Sequence, residues 1–217
     1  MTDVLPPPFL FRYSFAARKI AGLPRGRGAL LDLPDECRLP DLNALSERPS
    51  FAELRIAWNE HGLGVSVNVT GKRLPPECDV RQPAEADGLQ VWIDTRNTQS
   101  IHRASRFCHH FCFLPAGGGR KANQPLAVQV PISQAREDAP RVDPATLSVL
   151  AKVRKDGYRL EAWLPAAALH GFDPEANPRL GFYYLLRDSE LGEQPLCVGR
   201  EFPFAHDPSL WSTLELV

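Results

Sequence analysis

A chain of 217 residues is long enough to bury one sizeable core, and the expectation is a single all-β domain over 1–217. With 25 Lys and Arg against 26 Asp and Glu the formal net charge is -1. No long-range field draws in phosphate backbones or anionic lipid, which excludes nucleic acid and membrane surface as leading partners.

Proline stands at 21 residues, roughly twice ordinary usage, which favours short strands and stiff turns over long helices. The opening "MTDVLPPPFLFRYSF" has no basic n-region, and Arg12 interrupts its one apolar run, so it does not read as a secretory signal. No run reaches the ~18 apolar residues of a membrane span. A soluble, cytoplasmic protein is expected, although a chain lacking its leader would read the same. Five cysteines, Cys37, Cys78, Cys108, Cys112 and Cys197, form an odd, irregularly spaced set that speaks for reduced thiols rather than a disulfide framework.

Period-two segments recur between turn residues, the pattern of an antiparallel sandwich. "FLFRYSF", 9–15, predicts a strand with Phe9, Phe11, Tyr13 and Phe15 on one face. "ELRIAW" and "LGVSVNV" follow as a hairpin through "NEHG", with Leu63, Val65, Val67 and Val69 inward. "GLQVWID" alternates Leu89, Val91 and Ile93 with Gln90, Trp92 and Asp94. "LAVQVPI", "LSVLAKV", "YRLEAWL", "LGFYYLL" and "STLELV" bring the total to about ten. "PAAALHG" predicts one short helix, entered at Pro165 and left at Gly171, and "LPAGGGRKANQP" predicts a flexible loop able to act as a flap.

The segment "HRASRFCHHFCF", 102–113, packs three of six histidines and two of five cysteines into one strand. Parity puts Phe107, His109, Phe111 and Phe113 on a core face, with His109 a buried neutral histidine, and Arg106, Cys108, His110 and Cys112 on the opposite face. Cys108, His110 and Cys112 carry zinc-competent atoms. Residues at i and i+4 of a strand are nevertheless roughly 13 Å apart, while ligands of one Zn²⁺ lie within a few ångströms of one another. A metal site on His102, Cys108, His110 and Cys112 therefore stands as a minor alternative, and no cofactor is predicted. The only methionine is Met1, which removes a Met-ligated haem. No "GxSxG", "HExxH", "GxxxxGK" or "GxGxxG" occurs, so no enzyme is indicated. Trp58 and Trp211 read as core plugs. Asp94 and Asp188, at strand ends, read as turn formers or as ligands of a structural Ca²⁺.

Five blocks, "ELRIAWNEHGLGVSVNVTGK", "DGLQVWIDTRN", "DGYRLEAWLPAAAL", "LGFYYLLRDSELGEQ" and "DPSLWSTLEL", resemble in order the motifs of the family-nine carbohydrate-binding module and the wider DOMON-like sandwiches. The match covers about 50–217, with the strand at 9–15 added in front. The resemblance implies a two-sheet antiparallel β-sandwich that binds a sugar non-catalytically in a cleft on one sheet's outer face. Family members clamp the sugar between two tryptophans, and those positions fall near Ala84 and at Ala205. The polar positions fall at Gln90, Cys108 and His110. The ligand-binding set expected here is Gln90, Trp92, Arg106, Cys108, His110, Phe204 and His206, with Phe202 entering beside Phe204 from the last loop, and carbohydrate as the partner. The competing expectation is a protein-docking sandwich whose outer sheet receives a protein partner on a broad exposed apolar patch including Trp163, and the plainer reading is that Trp92 and Trp163 only cover the outer face against the N-terminal strand.

Overall fold

Alternating apolar and polar residues carry most of the architecture, because successive side chains of a strand point to opposite faces. The computed structural model describes residues 7–26, 29–46 and 48–217. Among them lie β1 (Ser14–Lys19), β2 (Ala52–Asn59), β3 (Gly62–Thr70), β4 (Gly88–Asp94), β5 (Cys108–Gly118), β6 (Gln124–Gln129), β7 (Ser148–Arg154), β8 (Gly157–Pro165), β9 (Arg179–Asp188), β10 (Gly192–Pro195) and β11 (Ser212–Leu216). The hydrogen-bonded order is β6-β5-β4-β9-β11-β1-β2-β3-β8-β7, with β10 lying along β9 beyond the end of β11. This nearly closed path folds into two layers.

Strand β1 joins the layers. Its residues Ser14–Ala17 run parallel to β11, and Arg18 and Lys19 then run parallel to Ala57 and Trp58 of β2. Between the layers, Leu89, Val91 and Ile93 of β4, Phe111 and Phe113 of β5 and Phe182 of β9 share one core with Val65, Val67 and Val69 of β3 and Leu160 and Leu164 of β8. Each is at most 1% exposed. Burial of each such side chain contributes about 1.5–3 kcal/mol. β4 starts at Gly88, with φ 151°, where a Cβ would run into the Phe113 carbonyl oxygen. Only glycine lets the strand begin so close to β5.

The hairpin through Glu60 and His61 forms as expected, pairing Trp58 with Leu63 and Asn59 with Gly62. Other expectations need correction. The N-terminal strand spans 14–19, not 9–15: Pro7–Leu10 form a 3-10 turn, and Phe9 and Phe11 are 41% and 63% exposed. Alternation is satisfied over 9–15, but a strand needs a neighbour for its ladder, and β11 supplies one only from Tyr13 onward. The short helix is a lone 3-10 turn, Ala166–Ala168, whose Ala166 N–H is taken by the His61 carbonyl. So short a segment does not pass the helix nucleation barrier. The expected flap is a tight hairpin, since β5 runs on to Gly118 and Gly117 N–H donates to Ala122 O at 2.9 Å. Strand β6 stops at Gln129, before the expected 132, because Pro131 has no N–H to give a ladder.

Trp163 lies on the second layer, away from Trp92. It is buried with Leu23, Leu31, Leu33 and Cys37 beneath residues 20–26 and 29–38. The Glu161 carboxylate clips the second of these stretches down by accepting the N–H groups of Leu30 (2.8 Å), Leu31 (3.1 Å) and Asp32 (3.3 Å). The outer apolar patch that would have favoured a protein partner is therefore covered. Among the described residues no helix is long and apolar enough to cross a membrane.

Candidate functional site

Strands β4 and β5 pair Gln90 with Cys112 and Trp92 with His110, while on the other side β9 pairs Leu185 with Gln90 and Tyr183 with Trp92. With Leu89, Val91 and Phe111 in the core, parity turns these side chains to the outer face of the first layer. That face is roofed. Phe204 stacks on Tyr183 at 4.4 Å and meets Trp92 edge-on at 5.5 Å, and Trp211 Nε1 fixes the roof by donating to Phe204 O at 2.8 Å. The Tyr183 hydroxyl donates to Val198 O. Opposite the roof, the chain leaving β6 is tied down by Val130 N–H donating to His110 O at 2.9 Å.

Between these covers lies a cleft of about 380 Å³. Its floor is Gln90, Trp92 and His110; Phe202, Phe204 and His206 form one wall and Val130 and Pro131 the other. Ala84 and Ala205, the two positions of the expected clamp, both line it. At the rim, Glu85 pairs with Arg187 (2.5 Å) and Arg200 (3.8 Å), and Glu193 pairs with Arg200 at 2.7 Å, so two carboxylates face two guanidiniums and the mouth is charged but balanced.

The floor is held by a chain of hydrogen bonds. Gln90 Nε2 donates to Ala84 O at 2.9 Å, which presents Gln90 Oε1 to His110 Nε2 at 3.1 Å and makes that ring nitrogen the protonated one. Cys112 Sγ lies 3.6 Å from the same nitrogen. Trp92 stacks on the imidazole at 4.1 Å, with the ring planes 8° apart. Burial pushes His110 down to about 3, so the ring is neutral. The Trp92 indole N–H is buried without a hydrogen-bond partner.

Gln90, Trp92, His110, Phe204 and His206 thus come together on one cleft, and Arg106 and Cys108 do not. Arg106 is exposed ahead of β5, its guanidinium over Phe107 at 5.2 Å and 3.8 Å from Glu137. Residues 105–108 form a turn, Cys108 N–H donating to Ser105 O, so strand parity does not extend to position 106. For the same reason Phe107 is half-buried against His170, on which it stacks, while Phe111 and Phe113 are core. Cys108 is buried against a neighbouring cavity, its thiol raised to about 12 by burial and by Asp94. Nor do the even-numbered residues of β5 face open solvent: Cys108, His110 and Cys112 are 2%, 6% and 0% exposed beneath the covering loops. His109 is buried as expected, its Nε2 3.4 Å from His170 O, and burial lowers it to about 4. Sequence reasoning missed Leu185, Arg200 and the Val130–Pro131 strap. Leu185 lies on β9 beside Gln90, a strand whose alternation was legible, whereas Arg200 and the strap lie in stretches without periodicity, and only Pro131 signals that a strand must end there.

Among the described residues no group of three or more His, Cys, Asp and Glu side chains is arranged to hold a metal ion. His102 lies apart from Cys108 and His110, 76% exposed. It meets Asp207 Oδ2 at 3.1 Å and Ser209 Oγ at 3.2 Å through the same ring nitrogen, Nδ1. A hydrolytic relay needs the acid and the nucleophile on opposite nitrogens, so this trio does not have that geometry. Asp94 forms a turn, accepting from Arg96 N–H (2.9 Å) and Thr98 N–H (2.6 Å). Asp188 instead holds a buried ammonium: both its oxygens lie 2.6 Å from Lys72 Nζ, with Asp87 at 3.3 Å. Burial works against the Lys72 charge, but the two carboxylates outweigh it and raise its pKa.

Fold and cleft together define a class: a two-layer antiparallel β-sandwich with an aromatic-floored cleft on the outer face of one layer. Solved structures of a family-nine carbohydrate-binding module from Caldicellulosiruptor kristjanssonii have this fold. The complex with cellotriose is matched with a TM-score of 0.61 and 13% identity over 94% of this chain and 93% of that one. The complex with glucose is matched at 0.61 and 14% over 94% and 96%. A crystal structure of a Bacteroides uniformis protein is matched at 0.57 and 12% over 95% and 100%. No family model matches the sequence, and no curated protein matches it.

Proposed function

We propose that the protein is a non-catalytic carbohydrate-binding module and that the cleft over Trp92 takes the sugar. The observation that carries this reading is the composition of the cleft floor. An aromatic ring lies beside a neutral, hydrogen-bonded Gln90–His110 pair, in a fold shared with modules solved with cellotriose and glucose. A sugar offers a C–H face for the half-buried Phe202 and hydroxyls for His206 and the rim, while Trp92 and Phe204, each 2% exposed, form the packed aromatic base beneath it. With Ala84 and Ala205 where the family places tryptophans, the sugar is cradled from one side instead of being sandwiched. Glycan-array screening of the full chain, followed by calorimetric titration of the hits, tests the reading. Saturable binding that Phe202→Ala weakens supports it, and absence of binding to any glycan overturns it.

A further inference from the structure

The cleft over Trp92 has a neighbour that the expected ligand set does not explain. A second cavity, also about 380 Å³, opens on the far side of the Val130–Pro131 strap, and His110, Val130 and Pro131 belong to the walls of both. Cys108 and Val128 line its inner part, and Ala135 and Val142 its sides. At its rim Asp138 and Arg141 are exposed, and neither side chain makes a hydrogen bond or ion pair with any described residue. Glu137 beside them is engaged by Arg106.

Each cavity alone falls near the lower end of the ~300–1,000 Å³ typical of small-molecule sites. Their shared wall is three residues wide and carries no charge at neutral pH, with a valine and a proline offering an apolar edge. One end of this double compartment is aromatic. The other pairs aliphatic walls with one unengaged acceptor and one unengaged donor, a combination that suits hydroxyls rather than a single fixed charge.

We propose that the two cavities are successive compartments of one groove and that the ligand is a saccharide of at least two units. One ring lies over Trp92, and the next crosses Pro131 to rest against Ala135 and Val142, its hydroxyls donating to Asp138 and accepting from Arg141. The proposal rests on the carbohydrate reading of the first cleft and adds the chain length to it.

Titration calorimetry on the full chain tests it, using glucose, cellobiose and cellotriose and the matched single unit and chain of whichever sugar series the glycan array selects. The chain binds at least about tenfold more tightly than its single unit. Ala135→Trp, which fills the second compartment, abolishes that gain and leaves the single-unit affinity unchanged. Arg141→Ala alters only an exposed side chain, keeps the melting temperature, and cuts the gain several-fold, so the test does not depend on one variant folding. Equal affinities for single unit and chain, or a gain that survives both substitutions, overturn the groove while leaving the Trp92 cleft as a sugar site. An array without any binder removes both.

Discussion

Gln90 stands between two partners and restrains both: the Ala84 carbonyl orients its amide, and the amide in turn selects the tautomer of His110. The imidazole is then held flat against Trp92, so a ligand meets a preformed surface and little side-chain entropy is lost on binding. What the floor lacks is a ring on the opposite side, because Ala84 and Ala205 line the cleft without reaching across it. Ala205→Trp, at an exposed position, should therefore tighten sugar binding by about 0.5–1.5 kcal/mol, several-fold in affinity. Titration showing unchanged or weaker binding would count against the assigned orientation of the cleft. A second residue-scale outcome concerns Lys72. Lys72→Met leaves Asp87 and Asp188 buried with no cation between them, and urea unfolding at pH 7 should show a loss of about 3–5 kcal/mol.

At the scale of the element, β5 carries two histidines that burial keeps neutral, His109 near pKa 4 and His110 near 3. In the unfolded chain both return to about 6.5. The unfolded state therefore binds more protons as pH falls below that value, and stability, complete above it, drains away down to the folded pKa values. The expected slope is roughly 1 kcal/mol per pH unit for each histidine. His110→Gln should flatten the curve between pH 6.5 and 4 relative to the unmodified protein, as read from urea midpoints. Identical slopes would refute the neutral buried assignment. Strand β5 also marks where sequence reading holds and where it stops. Alternation located β4, β5 and β9 and identified which of Gln90, Trp92, His110 and Phe111 face outward, because a pleated strand leaves no other choice. It failed at Arg106 and at Phe9 and Phe11. There the pattern continues but the ladder does not, and whether a neighbouring strand is present is decided by residues far away in the chain.

For the molecule as a whole, β1 is the strand that makes two layers one body, pairing with β11 and then β2 within six residues. Ala17 is buried, and its carbonyl accepts from Trp58 Nε1 at 3.1 Å and from Val217 N–H at 2.9 Å. Unfolding should accordingly be one transition by fluorescence and by circular dichroism, and Ala17→Pro should destabilise both layers together, by about 3 kcal/mol or more. Separate transitions would show that the layers fold independently. The two-layer fold was legible because each of its long strands declares its own inner face. The cleft was legible only as a floor. Its roof, residues 196–206, and the strap at Val130–Pro131 have no period, and they are placed by long-range contacts such as Trp211 to Phe204 and Val130 to His110.

The central claim, that a sugar binds over Trp92, is tested most directly by nitrogen–proton correlation spectra of labelled protein. The four tryptophans give four indole signals, and Trp92→Phe identifies the one from the cleft. Titration with the glycan selected by the array should move the Trp92 signal saturably and leave that of Trp163, buried with Leu23, Leu31, Leu33 and Cys37 on the other layer, in place. A titration that shifts Trp163 and not Trp92, or that shifts none of the four, would contradict the account.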